Sequence, residues 1–272
     1  MSKAYIDCGG SKCHIKTDSG CEWVVGGYNP LLHETSLLKK QLTSVAEISA
    51  ELCRVQEIRY YGAGCSGSEA RQQVYSVLHA LYPKTSICIG HDLDLCFDLV
   101  LQEKRGIVGI LGTGSNAAYY DEEKALQAAP SLGYILGDQG GGASMGRRLV
   151  ADFYHHRMPS DLREYMTLHF EHAQYDLLIR KVYHEKGGNQ FLASLTQIMS
   201  GQFRQSTYVQ NLLKSEFELY IDQYIIPLSP ALGSAVSFTG SIAYIFKAEL
   251  EQVVRSRNLA LGVVCKQPLD LL

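Results

Sequence analysis

The sequence predicts an α/β protein of two lobes, and two observations carry that prediction. Residues 4–105 read as three strands followed by alternating helix and strand, and at Gly106 the same order starts again. The length agrees, since 272 residues are long for one core and comfortable for two. The boundary falls near Arg105, which gives lobes of 1–105 and 106–272, the second with a helical insertion. A single continuous sheet is the alternative reading of the same order.

In the first lobe, "AYIDCG" is a strand ending in glycines. "KCHIKTD" alternates up to the turn "DSGC", and "EWVVGG" returns, so residues 4–27 form an antiparallel meander. Leu38, Leu42, Val45, Ile48, Leu52 and Val55 then recur at helical spacing through "LLKKQLTSVAEISAELCRV". "IRYYGAG" is a strand, Ser68 and Glu69 open a helix that Pro83 closes, and "SICIG" is a further strand. "DLCFDLVLQEKR" reads as a short helix. In the second lobe "GIVGILGTGSNAAYYD" gives strand, glycine turn, strand. Helices fill roughly 143–224, "AVSFTGS" is a strand, "IAYIFKAELEQVVRSR" a helix and "LALGVVCK" a last strand.

Bulk properties exclude several functions. A net charge of -3 supplies no basic field for nucleic acid or a membrane surface. The longest apolar runs, such as "IVGIL", fall far short of the ~20 residues a membrane span needs. "MSKAYIDCGG" enters a strand directly and reads as no signal peptide, so the expected location is cytoplasmic. The eight cysteines form no C-x-x-C pair and no zinc-like spacing. In a reducing compartment they read as small buried hydrophobes. Seven of the eight lie in the first 100 residues, a skew that nothing in the sequence explains. His155, His156, His169 and His172 lack ligand spacing and read as exposed helix faces.

Three glycine turns follow strands: "DCGGSK" (Asp7 to Lys12), "GTGSN" (Gly112 to Asn116) and "TGS" (Thr239 to Ser241). Glycine allows close backbone approach, so successive N–H groups can converge on one anion. The third turn opens a helix, where free N–H groups and the dipole favour negative charge. Each turn alone is an ordinary hairpin or βα loop. Neither the P-loop pattern nor the dinucleotide G-x-G-x-x-G follows a strand. It is their coincidence at strand ends, two of them opening the two lobes, that favours a phosphate role.

The arrangement resembles the superfamily of sugar kinases, acetate kinases, actin and Hsp70. Within it the chain is most similar to the N-acetylglucosamine kinases and the BadF/BadG-type ATPases. "DCGGSK" and "ILGTGSN" match the two phosphate loops, "GYILGDQGGG" the G-D-E-G-S/G motif, "SFTGSIA" the adenosine loop, "YNP" at Tyr28 to Pro30 a sugar-side loop, and His91-Asp92 the start of the catalytic segment. The matches are collinear over about residues 4–268.

The resemblance implies two ribonuclease H-like, actin-like ATPase lobes with an inter-lobe cleft for nucleotide and sugar, and an ATP-dependent kinase of N-acetylglucosamine or a related amino sugar using ATP and Mg²⁺. It implies that Asp7 holds Mg²⁺ and that Asp92 is the general base. Gly9, Gly10, Ser11, Lys12, Gly112, Thr113 and Gly114 would meet the phosphates, with Gly240 and Ser241 at the nucleoside. Asn29, Asn116, Gly133 and Asp138 would meet the sugar. On the residues alone, Asp7 reads as a turn-capping aspartate and Asp92 as an N-cap, with Asp94 and Asp98 as neighbours that confuse the register.

Two departures stand out. Relatives carry small residues after the catalytic Asp, where this chain has "LDLCFD", and Gln139 stands where they carry Glu. These leave a second reading, a sugar or nucleotide sensor without turnover. A third is an ATPase activator of radical dehydratases, which needs interface cysteines for an iron–sulfur cluster. Kinases with C-x-C-G zinc clusters are excluded by cysteine spacing. Small-molecule partners are expected, neither nucleic acid nor membrane. Apolar stripes on the 143–224 helices suit a homodimer and core packing equally.

Overall fold

A computed structural model describes residues 2–9, 12–102, 104–121, 125–126, 132–170, 174–231 and 235–272. The chain divides into two compact units, Met1–Glu103 with Pro268–Leu272, and Lys104–Gln267.

The first unit contains β1 (Lys3–Cys8), β2 (Lys12–Thr17), β3 (Glu22–Gly26), α1 (Thr35–Thr43), α2 (Ala46–Leu52), β4 (Glu57–Gly62), α3 (Ser68–Leu81), β5 (Ser86–Gly90) and α4 (Asp92–Leu95). Its sheet runs β3-β2-β1-β4-β5, with β1, β2 and β3 antiparallel and β1, β4 and β5 parallel. Alternation gives the sheet two faces. Ile6, Cys8, Cys13, Ile15, Ile58 and Tyr60 point into a core closed by Leu38, Leu42, Ile48 and Leu52 and by Val74 and Leu78. The expected single helix over 37–55 is two. Ser44 turns its hydroxyl onto Gln41 O (2.7 Å) and Val45 is extended, the local competition by which Ser ends helices. The apolar stripe continues across the break.

Tyr5 and Tyr61 on the opposite face pack with Leu95 and Leu269. Leu269 belongs to a 3₁₀ turn, Pro268–Leu271, near the end of the chain. Lys16 Nζ donates to the carbonyls of Leu269 (2.9 Å) and Leu272 (3.4 Å). The last five residues therefore join the first unit rather than the second, where the sequence reading put them, because this face needs an apolar cover.

The second unit contains β6 (Gly106–Leu111), β7 (Ser115–Tyr120), β8 (Ala125–Leu126), α5 (Gly133–Leu136), α6 (Gly142–Tyr154), α7 (Ser160–His169), α8 (Tyr175–Ile179), α9 (Gly188–Ser194), α10 (Thr196–Ser200), α11 (Thr207–Tyr220), β9 (Val236–Thr239), α12 (Ser241–Ile245), α13 (Lys247–Ser256) and β10 (Leu261–Cys265). Read from β8, its sheet runs β8-β7-β6-β9-β10. β7 is antiparallel to β6 and β8, and β9 is parallel to β6 and β10. Strand order and directions therefore repeat those of the first unit, with helices α5 to α11 inserted between the third and fourth strands. The short β8 was not foreseen. Gly109 in β6 leaves room for the Tyr220 ring, whose hydroxyl would stand 2.4 Å from any Cβ there. Among the described residues no helix is long and apolar enough to cross a membrane.

Candidate active site

In the first unit, β1 sits at the centre of the sheet and delivers Asp7 to its C-terminal end. Asp7 pairs in register with His14 on β2 and Tyr61 on β4. Its carboxyl is partly buried and is pushed up to about 6, first by burial, then by the charge of Asp92, against the pull of Lys12. Asp92 and Lys12 therefore both act on Asp7, although Asp92 stands far from it in sequence. Lys12 is exposed at the start of β2, and Gly9 N–H donates to its carbonyl (2.9 Å). Gly10 and Ser11, the other expected phosphate residues of this turn, lie outside the described residues.

Asp92 follows β5 at the first position of α4, with His91 as N-cap. His91 Nδ1 lies 2.5 Å from Asp92 Oδ1 and 3.5 Å from Leu93 N. The shorter contact assigns the proton to Nδ1, donating to Asp92, while Leu93 N–H goes to the same carboxylate oxygen at 2.9 Å. The Asp92 side chain keeps 46% exposure.

Its neighbours are occupied elsewhere. Asp94 Oδ2 accepts from the His91 backbone N–H (2.8 Å), tying back the start of α4. Asp98, 15% exposed, pairs with Arg59 (2.7 Å) and accepts from the Tyr61 hydroxyl. Asp94 and Asp98 thus hold the backbone and the sheet, while the Asp92 side chain keeps the greater exposure. The bulky residues after Asp92 are turned inward, with Leu93, Leu95 and Cys96 buried.

Asn29 sits in the loop after β3. Its Oδ1 accepts from Leu31 N (2.9 Å) and its N–H donates to His33 Nδ1 (3.0 Å). Gly64 in the β4–α3 loop has φ +86, and a Cβ there would stand 2.3 Å from Asn29 Oδ1. The sequence reading passed over this loop. Its signal is "GAGCSG" at Gly62 to Gly67, three glycines between a strand and a helix in the same form as the turns it did single out.

In the second unit the β6–β7 turn is braced from two sides. Gly142 and Ala143, at the N-terminus of α6, donate to the carbonyls of Gly112 (2.8 Å) and Thr113 (2.9 Å). Gly240 (φ +117) backs onto the same turn, where a Cβ would meet Leu111 O at 2.2 Å. Gly112 N–H closes the turn onto Gly114 O (3.0 Å). Among the described residues the N–H groups of Thr113 and Gly114 have no protein acceptor, and both residues are partly exposed. Two successive free donors are what an anion-binding turn offers.

Asp138 is buried in a left-handed conformation (φ 60), and its Oδ1 accepts from Ser115 N–H (3.3 Å). Burial raises its carboxyl, partly offset by that N–H and by Arg147. Ser115 Oγ donates to Gln139 O (2.8 Å), which ties this loop to the hairpin. Asn116 caps its own strand, with Oδ1 on Ala117 N (2.9 Å), and its carbonyl accepts from the Tyr220 hydroxyl (2.7 Å). Gly133 (φ 70) opens the single turn of α5, whose Gly137 N–H returns to Gly133 O at 2.8 Å. Ser241 is exposed at the first position of α12.

No group of three or more metal-ligating side chains gathers among the described residues. His155, His156 and His169 are exposed, as expected, and His172 lies outside the described residues. The cysteines depart from expectation: Cys8, Cys13, Cys65, Cys96 and Cys265 are buried, but Cys21, Cys53 and Cys88 are exposed.

No family model matches the chain, and no curated protein matches it. Solved structures do. A proposed N-acetylglucosamine kinase from Porphyromonas gingivalis superposes with a TM-score of 0.89 at 24% identity, over 98% of this chain and 96% of that one. A second proposed N-acetylglucosamine kinase, from Chromobacterium violaceum, gives 0.74 at 17% identity, over 99% and 98%. The fold is that of the actin-like ATPase sugar kinases. A more distant sugar kinase of this fold, the ROK family glucokinase of Streptomyces griseus in complex with glucose and AMPPNP, gives 0.54 at 12% identity, over 97% and 93%.

Proposed function

We propose that the protein is an ATP-dependent kinase transferring the γ-phosphoryl group to a hydroxyl of N-acetylglucosamine or a related amino sugar. One observation carries the reading: Asp92, the exposed aspartate of α4, stands close enough to Asp7 at the end of β1 for its charge to raise the Asp7 carboxyl. A sugar kinase needs such a pair, one carboxylate for a proton and one for a metal.

Phosphoryl transfer depends on positioning and charge neutralisation rather than on covalent chemistry by the protein. Asp92 has Oδ1 engaged by His91 and Leu93, and Oδ2 without a protein partner among the described residues. Oδ2 takes the proton from the attacking sugar hydroxyl. Asp7 is a hard oxygen donor whose buried carboxyl is held up by the charge of Asp92, which fits Mg²⁺. With so few side-chain ligands gathered, the ion would keep water and nucleotide phosphate oxygens in its shell. When bound, Mg²⁺ supplies neutralisation of phosphate charge.

In the second unit the Thr113 and Gly114 N–H groups receive phosphate oxygens. Gly240 and Ser241 lie on the nucleoside side. In the second unit Asn116, Gly133 and Asp138 are the sugar-side residues, and in the first unit Asn29 is; a sugar that leaves a buried group such as Asp138 unpaired is rejected. The glucose and AMPPNP bound by the S. griseus protein support the substrate classes, and the names of the two proposed N-acetylglucosamine kinases support the sugar. The reading includes a cytoplasmic location, where ATP is available.

ADP release from ATP and Mg²⁺, measured with and without N-acetylglucosamine, tests it. Sugar-dependent release that falls by about 10²–10⁴-fold in Asp92→Asn is the expected result. Tight sugar binding without release, across a panel of amino sugars, would replace the kinase by a sensor.

A further inference from the structure

Seven cysteines fall in the first 100 residues, and two of them face each other across the β1–β2 hairpin. Cys8 and Cys13 are register partners, both on the core side of the sheet, at 0% and 1% exposure. Their position on the ladder matters. Gly9 N–H donates to Lys12 O, which makes 9 and 12 a hydrogen-bonded pair, so the next pair inward, Cys8 and Cys13, is a non-hydrogen-bonded one. The Cys8 carbonyl points the other way, accepting from Ala63 N–H at 3.1 Å. Side chains approach most closely at such positions, with Cα atoms about 4.5 Å apart. That falls within the roughly 4.4–6.8 Å that disulfides span.

We propose that Cys8 and Cys13 are a dithiol–disulfide couple beneath the β1–β2 turn, closed by hydrogen peroxide or a similarly small peroxide. The Cys8 sulfur attacks one peroxide oxygen, the O–O bond breaks, and a sulfenic acid forms with release of water. The Cys13 sulfur then attacks the Cys8 sulfur, expels the second water and completes the S–S bond. Two thiols lose two electrons and two protons, and one peroxide becomes two waters.

Either sulfur can open the sequence, because the two stand on register-paired positions of adjacent strands and both routes give the same S–S bond. Cys65, the third buried thiol nearby, is pushed up to about 11, first by burial, and stays inert. Burial also restricts the chemistry to a small oxidant. The resulting bond ties the two strands that carry the Gly9 to Lys12 turn. The proposal concerns a modification and stands apart from the kinase reading.

The test uses the reduced full-length protein, exposed to dilute hydrogen peroxide, alkylated, digested and mapped by mass spectrometry. A linked peptide joining Cys8 to Cys13, lighter by two hydrogens and restored by dithiothreitol, is expected in the wild type and in Cys65→Ala. It should vanish in Cys8→Ala and in Cys13→Ala. The wild-type map decides the question even where a variant folds poorly. The proposal is overturned if peroxide that oxidises the exposed Cys21, Cys53 and Cys88 leaves Cys8 and Cys13 fully alkylated after unfolding. It is overturned equally if Cys8 is found joined to Cys65.

Discussion

Tyr224 Oη donates a 3.1 Å hydrogen bond to Gln139 Oε1. Tyr224 stacks on Tyr220 (5.4 Å between centroids), whose own hydroxyl holds the Asn116 carbonyl. One turn earlier, the buried Glu216 accepts from Gly140 N–H at 3.1 Å. Glu216, Tyr220 and Tyr224, spaced four apart along α11 and the π turn that follows it (Ile221–Ile225), brace both the Asn116 hairpin and the Asp138 loop. The glutamine that departs from the motif is thus a held residue.

This pairing predicts how position 139 tolerates change. Gln139→Glu keeps an acceptor for Tyr224 and should alter stability by less than about 1 kcal/mol, whereas Tyr224→Phe removes one partly buried hydrogen bond at a cost of about 1 kcal/mol. Urea unfolding of both variants checks this. If Tyr224→Phe unfolds at the wild-type midpoint, the bond does not brace the loop.

Asp7 predicts a pH dependence of stability. Its carboxyl stands at about 6 in the folded protein against an ordinary 3.8, so between those values the folded state holds the extra proton. Stability therefore falls as pH rises from about 4 to 6, because charging the buried Asp7 carboxyl, with Asp92 beside it, becomes obligatory. Asp7→Asn removes that term. Relative to wild type it should gain stability at pH 7.5 and gain little at pH 4. Denaturation midpoints at the two pH values measure it, and equal gains at both would assign the effect to something other than Asp7 ionisation.

The fold was largely legible because strand alternation and glycine punctuation are local signals. Both hairpins, the β4–α3–β5 run and β9 to β10 all lie where pattern placed them. What escaped depended on distant partners. The break at Ser44 and Val45 is a contest between a side chain and the backbone that apolar spacing cannot register. The return of Leu269 to the first unit depends on the apolar face of Tyr5 and Tyr61, 200 residues away in sequence by order of magnitude. At the site, the choice among Asp92, Asp94 and Asp98 could not be made from spacing. What sets them apart is the bond of Asp94 to the His91 backbone N–H and the Arg59 and Tyr61 contacts of Asp98, none of which leaves a periodic trace.

Two glycines of the second unit should respond differently to alanine. At Gly141 the new Cβ would stand 2.7 Å from the Gly114 carbonyl carbon, and backbone on both sides cannot yield. Gly141→Ala should cost about 2 kcal/mol or more. At Gly114 the clash is with Asp138 Oδ2 at 2.6 Å, the end of a side chain that can swing away. Gly114→Ala should fold within about 1 kcal/mol of wild type. It should nonetheless weaken ligand binding, because Asp138 loses its hold on Ser115 N–H. Thermal unfolding alongside calorimetric titration with N-acetylglucosamine separates the two, and the contrast fails if Gly114→Ala binds the sugar as wild type does.

His91 reports on Asp92 without any assay of turnover. Its imidazole is raised above its ordinary value, first by the hydrogen bond to Asp92, while burial pulls it down. Removing the carboxylate in Asp92→Asn leaves burial as the larger influence, so the His91 value should drop below the wild-type one and toward or under about 6.5. The linked stability follows the same sign. In the wild type the charged His91–Asp92 pair stabilises fully below about 6.5 and fades as pH rises through the folded value, and in Asp92→Asn that increment is absent. Histidine ring signals followed by NMR across pH 5 to 9 give the answer. A His91 titration unchanged by Asp92→Asn would mean that the 2.5 Å contact does not persist in solution and that Asp92 is oriented by some other group.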